Sequence, residues 1–233
     1  MAKDILIEQA YQYIRNYVLD NQQHGNIKIN QNMLAKELGV SRTPVVKALN
    51  MLAAEGMVDN IPNHGFYIHV PTIRELSELF MLRQSFEMIS GTYICQYGTE
   101  EDLQALEAIF APFIGQDSID YQAYFEADKR FHCNLFDLCD NRLLHRIGDQ
   151  LQIMDRIFSI GLFRQPKETI HEHLAMLRAF RQRDESKAQE LMYTHVELTR
   201  RYLDTLQRQL KALGIDPDSV SAKDVVFRNP DKK

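Results

Sequence analysis

Residues 34–49 read LAKELGVSRTPVVKAL, and this stretch decides the architecture. Gly39 permits the left-handed backbone that a tight turn between two helices needs. Ala35 is small where those helices must approach closely. Val40 and Val45 hold the pair together. Ser41 is a good N-cap for the second helix, and Pro44 falls in its first turn, where a missing N–H costs little. Arg42, Thr43 and Lys47 are left exposed at and beyond the N-terminal end of that helix. This is the pattern of a helix-turn-helix, whose second helix enters the DNA major groove with that end leading. A helix N-terminus also attracts phosphate directly. A plain helical hairpin with a solvated basic face would share the Ala-x3-Gly spacing, but not the cap, the proline and the hairpin that follows.

Upstream, Ile7, Ala10, Tyr11, Ile14 and Val18 mark one stripe of a helix over residues 4–20. A loop around His24 and Gly25 leads to a short helix at 31–38, capped by Asn30 and stopped by Gly39. Val45, Ala48, Leu49 and Leu52 form the inner stripe of the next helix, and Gly56 closes it. Two β-type runs, 57–61 and 66–70, flank the turn Pro62-Asn63-His64-Gly65. They predict a small wing whose tip, His64 and Gly65, reaches the adjacent minor groove or backbone.

Beyond Pro71 the chain is nearly all helix. Thr72 with Glu75 and Thr99 with Asp102 read as capping boxes. Helices are expected over 120–138, 142–163, 167–183 and 185–212, with Gly214 ending the last. The fold class is therefore mostly α: a winged helix-turn-helix over 1–71, an antiparallel all-α bundle over 72–212, and a polar tail over 213–233. That tail is expected to pack poorly, apart from Val225, Val226 and Phe227.

A length of 233 residues fits two modest domains better than one. Residues 1–72 carry six basic and six acidic side chains, so the whole net charge of −5 lies in the remainder. Lys36, Arg42 and Lys47 nevertheless gather within twelve residues, and a local basic face matters more for phosphate than the total does. No run is long and apolar enough for a membrane, and the first residues lack a signal-peptide pattern, which points to the cytoplasm. Cys95, Cys133 and Cys139 are odd in number and lack CxxC spacing, which argues against disulfides and a thiolate zinc site.

Four polar residues stand on stripes that otherwise read as core. Asp128 and His132 lie on the face of Tyr121, Tyr124, Phe125 and Leu135. His173 shares a stripe with Ile170, Leu174 and Leu177, and His195 shares one with Ala188, Leu191, Met192 and Leu198. Burying each without a partner costs on the order of 1–3 kcal/mol, so a common partner is expected. A divalent metal is one answer: three His and one Asp suit zinc first, and nickel or manganese next. A metal-free hydrogen-bond network is another. Arg83 falls on the inner side of the first bundle helix with Leu76, Phe80, Glu87 and Ser90. There it is either an ion pair with Glu87 or an anchor for an anionic ligand.

The run GVSRTPVVKALNMLAAEGMV followed by NHGFYI resembles the N-terminal domain of GntR-type transcriptional regulators. DKRFHCNL, EHLAMLRAFRQRD and AQELMYTH are similar to the ligand elements of the FCD effector domain in the FadR-type subfamily. Together the resemblance spans about residues 5–205. It implies that Arg42 contacts DNA, that Asp128, His132, His173 and His195 bind metal, and that Arg83 faces the ligand cavity. The family usually carries a second Arg where this chain has Val46, leaving Lys47 to substitute as a point charge. The expectation is a homodimeric, ligand-responsive regulator that binds a double-stranded DNA operator and senses a small carboxylate. A metalloenzyme joined to a DNA-binding module is the rival, but the chain offers no motif-placed general base, nucleophile elbow or phosphate loop. Arg42→Ala is expected to abolish operator binding with the fold intact. Unchanged affinity by fluorescence anisotropy would remove the second helix from the DNA contact.

Overall fold

The computed structural model describes residues 2–21 and 26–224, so His24, Val225, Val226 and Phe227 lie outside the described residues. Three helices, α1 (Ala2–Asn21), α2 (Gln31–Glu37) and α3 (Arg42–Ala54), precede the hairpin β1 (Val58–Ile61) and β2 (Gly65–Ile68). The strands are antiparallel, with Val58 opposite Ile68 and Ile61 opposite Gly65. Ile14, Val18, Leu34, Val45, Leu49, Leu52 and Ile68 are fully buried in one apolar cluster. The stripes read from spacing are thus the faces that pack. Residues 27–29 add a short edge to β2, with Ile29 N–H donating to the Phe66 carbonyl at 2.8 Å.

The rest is helical: α4 (Ile73–Tyr97), α5 (Glu100–Phe110), α6 (Tyr121–Leu138), α7 (Arg142–Leu151), α8 (Ile153–Phe158), α9 (Pro166–Arg181) and α10 (Glu185–Ala212). Both capping boxes form, at Thr72 with Glu75 and at Thr99 with Asp102. Two apolar clusters fill this part. One gathers Phe110, Tyr124, Phe131, Phe180 and Met192, and the other Ile73, Leu76, Phe80, Ile157, Phe158 and Leu203. Along α4, Leu76 and Phe80 belong to one cluster and Ile94 and Cys95 to the other. The buried Arg83, Glu87 and Ser90 lie between them, so a polar layer separates two apolar ones.

Three expectations are corrected. The helix over 142–163 is two helices. Gln152 adopts a left-handed conformation (φ 48°), which turns Ile153, Ile157 and Phe158 into the core, whereas α7 buries only Leu144. Leu198 is not on the inner stripe of α10 and is 43% exposed; Val196, Thr199 and Leu203 face inward instead. The tail does not pack poorly throughout. Ala222 is fully buried, its N–H donates to the Pro71 carbonyl at 2.9 Å, and Ile73 N–H donates to the Val220 carbonyl at 3.1 Å. The chain just before α4 has backbone groups that no helix or strand can satisfy, and the tail supplies their partners. Cys95 and Cys139 are buried and Cys133 partly so, all as free thiols. No helix among the described residues is long and apolar enough to cross a membrane.

The winged part meets the helical part through charges. Arg15 of α1 pairs with Asp155 and donates to Gln152 Oε1 at 3.1 Å. Arg156 packs against Gly56, where a Cβ would meet its guanidinium at 3.2 Å. His69, just after β2, lies between Asp59 (3.0 Å) and Glu75 (3.1 Å), the second of which belongs to the α4 capping box. Burial opposes its charge, but the two carboxylates outweigh that and raise His69 to about 9. The charged imidazole therefore stabilises the joint fully below pH 6.5 and progressively less as pH rises through about 9. Melting temperature should fall across this window in the native chain and fall less in His69→Gln, the loss being on the order of 2 kcal/mol. Parallel pH profiles would exclude His69 from the joint.

Candidate metal centre and DNA-facing surface

Helices α6, α9 and α10 each present one imidazole to a common point. His132, His173 and His195 are buried, with ligand-capable atoms all within 4.8 Å of one another. His132 Nε2 and His173 Nε2 are 3.2 Å apart, and Asp128 Oδ1 lies 3.3 Å from the second and 3.9 Å from the first. Metal bonds of about 2.1 Å at tetrahedral angles place neighbouring donors roughly 3.4 Å apart, so this spacing is compatible with a divalent ion.

The other nitrogen of each ring has its own partner. His195 Nδ1 is 2.6 Å from Glu172 Oε2, and Glu172 is itself held by both terminal nitrogens of Arg164 at 2.7 and 2.6 Å. His173 Nδ1 is 3.0 Å from the Tyr124 hydroxyl, which is 2.8 Å from Thr169 Oγ1. His132 Nδ1 lies 2.8 Å from Glu87 Oε1, a close contact whose alignment falls short of a hydrogen bond. A carboxylate can only accept, so Glu172 places the proton of His195 on Nδ1, and the charge of Glu87 at 2.8 Å favours the same tautomer in His132. If Tyr124 donates to Thr169, His173 does the same. Three lone pairs and the Asp128 carboxylate then face one point, an arrangement that a cation relieves and that, in the other His173 tautomer, a proton on Nε2 shared with His132 or Asp128 relieves as well. Burial lowers His132, and lowers His173 well below the ordinary imidazole value, keeping both neutral as ligands must be. Burial would raise Glu172, but His195 and Arg164 hold it near 2. The donor set fits a divalent ion.

Arg83 is buried on α4, and its Nε donates to Glu87 Oε1 at 2.6 Å. The ion pair is therefore formed, and Nη2 remains buried without a partner. The guanidinium is wedged between the rings of Phe80 (5.4 Å) and Phe158 (5.2 Å). It borders a cavity of about 30 Å³ that Asp128, His195 and Arg164 also line. Sequence reading singled out the four central residues and Arg83 but missed Tyr124, Arg164 and Glu172 as partners. Glu172 lies off the apolar stripe of α9, and its only signal is adjacency to His173. His145 is remote from the site, against the Cys139 carbonyl at 2.5 Å, and His171 is exposed.

On the winged part, Arg42, Thr43 and Lys47 are exposed along α3, and Ser41 precedes it. Ser41 occupies the N-cap with extended backbone, yet its side chain makes no capping bond. His64 is exposed at the wing tip beside Gly65, which adopts φ 97°. Arg42 and the two wing residues border one surface cleft.

The profile of the gntR family of bacterial regulatory proteins matches residues 6–68, and that of the FCD domain matches residues 78–198. The chain is 31% identical over 165 residues to the Nta operon transcriptional regulator of Aminobacter aminovorans, covering 69% of this chain and 78% of that protein. It is 22% identical over 194 residues to the HTH-type transcriptional repressor RspR of Escherichia coli, covering 82% and 85%. Among solved structures, a GntR transcriptional regulator from Rhodococcus sp. superposes with a TM-score of 0.68 at 18% identity, covering 84% of this chain and 96% of that one. McbR/YncC of E. coli gives 0.63 at 19%, covering 86% and 98%, and both likenesses speak for the fold alone.

Two substitutions probe the candidate centre. His132→Ala should lower the metal-to-protein ratio in elemental analysis, and Glu172→Gln should weaken metal affinity by about 10–100-fold. A ratio unchanged in His132→Ala would refute this ligand set.

Proposed function

Because the chain belongs to the GntR family of bacterial regulatory proteins and carries an FCD domain, we propose that it is a ligand-responsive transcriptional regulator that senses a small carboxylate at a metal-bearing cavity in its helical part. The observation that carries this reading is the convergence of three imidazoles, one of which, His195, lines with Asp128 the same cavity as Arg83, whose Nη2 is buried without a partner. Asp128, His132, His173 and His195 would hold the ion, zinc before nickel or manganese. The bound ion would supply a point of positive charge for a carboxylate oxygen. Arg83 suits the same group, since its free terminal nitrogen offers a charge-assisted hydrogen bond in a site shielded from water. The matched families and relatives are transcriptional regulators, not enzymes, so the metalloenzyme reading is set aside.

On the DNA side, Ser41, Arg42, Thr43 and Lys47 would meet the major groove, and His64 and Gly65 the adjacent backbone or minor groove. A homodimer would set two such surfaces roughly 34 Å apart on a near-palindromic operator. The short helix α8 links the two ends. Ile157 and Phe158 border the cavity, whereas Asp155 pairs with Arg15 and Arg156 packs on Gly56 of the winged part. A ligand that displaces Phe158 would thereby favour one arrangement of the winged part over another.

A thermal-shift screen of small carboxylates, each with and without a chelator, tests the reading. One acid should raise the melting temperature only while metal is retained, by an amount that grows with its concentration. If no acid shifts the protein and the chelator changes nothing, the four polar residues form a metal-free network.

A further inference from the structure

Arg42 is the only arginine among residues 26–72, so a guanidinium fork reading guanine from α2, α3 or the wing can only be that of Arg42. Its Nε donates to Gln31 Oε1 at 2.8 Å. Gln31 opens α2 directly after Asn30, whose side chain caps the helix by accepting from Asn32 N–H and Met33 N–H. The amide nitrogen of Gln31 points toward the wing, 3.9 Å from where a Cβ on Gly65 would stand. One glutamine therefore touches the start of the recognition helix and abuts the wing tip. The cleft between them, about 690 Å³, is bordered by Lys28, Asn30, Arg42, Asn63 and His64, and by no carboxylate among the described residues.

We propose that Gln31 is a positioning residue for operator recognition: it holds the inner nitrogen of Arg42 so that the outer fork is presented to one guanine in each half-site. An arginine reads guanine with two donors aimed at the two acceptors on the major-groove edge of the base. A free guanidinium must lose rotamer freedom to reach that geometry. With Nε already occupied, the plane of the group is set, and its two terminal nitrogens are the donors left for the base. The amides and Lys28 around the cleft suit phosphate oxygens and position the duplex without reading it. Val46, where a second arginine would double the guanine contact, has no donor, which concentrates discrimination on this one pair.

This inference rests on the DNA-binding reading above, and the test separates the two. Selection of duplexes from a random pool by the full-length protein should enrich a half-site with a guanine. Replacing that guanine by 7-deazaguanine, which lacks the ring-nitrogen acceptor, should weaken native binding by about tenfold or more. In Gln31→Ala the same replacement should cost about twofold or less, with affinity for random duplex and melting temperature unchanged. Gln31→Glu keeps an acceptor for Arg42 and should retain the full penalty while weakening all sequences alike. A full penalty in Gln31→Ala would overturn the positioning role and leave DNA binding intact. Insensitivity of the native protein to 7-deazaguanine would show that Arg42 meets phosphate instead, and overturn the guanine assignment. Failure to enrich any sequence would overturn the DNA-binding reading together with it.

Discussion

A guanidinium, two carboxylates and three imidazoles share the interior of the helical part, and none of them could be buried there without the others. Isolated burial of an ionised side chain costs several kcal/mol, and mutual attraction repays it only when geometry is good and remaining donors and acceptors are met. Here Glu87 faces both Arg83 and His132, and Asp128 faces His132 and His173. Burial would raise Glu87, but the Arg83 guanidinium and His132 pull it well below the usual carboxylate range. The layer keeps unmet groups, Arg83 Nη2 and Glu87 Oε2 among them, beside the three imidazoles that face one another at its centre. Those unmet groups are why the site reads as a candidate binding centre rather than as a closed ion network.

Two long helices make the layer possible. The 25-residue α4 and 28-residue α10 lie against each other, and each passes from one apolar cluster through the polar layer to the other. The start of α4 also carries Glu75, which serves the capping box and His69 at once. One rigid element therefore runs from the joint with the winged part to Arg83 in the cavity. The tail closes this arrangement by pairing with residues 71–73, fixing the point at which α4 begins.

Much of this was legible in the sequence because the signals are local. Turn residues at Gly39 and Gly65, caps at Asn30, Thr72 and Thr99, and stripes at helical spacing act over a few residues, and the elements form where those signals stand. Histidines on apolar stripes stood out because they break a pattern. The misses are non-local. The left-handed turn at Gln152 is chosen by the need to bury Ile157 and Phe158, not by a Gly or Asn at that position. Leu198 reads as core by spacing, yet the inward face of α10 follows Val196, Thr199 and Leu203 because α4 packs there.

The sequence by itself determined most of the elements and the kind of chemistry available at each stripe, since backbone preference and side-chain period are properties of neighbouring residues. Only the tertiary structure decided which groups meet. It brought Arg164 onto Glu172 and Glu172 onto His195, set Tyr124 behind His173, and laid residues 220–222 along the start of α4. These partners come from different helices and from the loops beside them, separated by up to about 150 residues in the chain, and hydrogen bonds of that kind carry no periodic trace in a sequence.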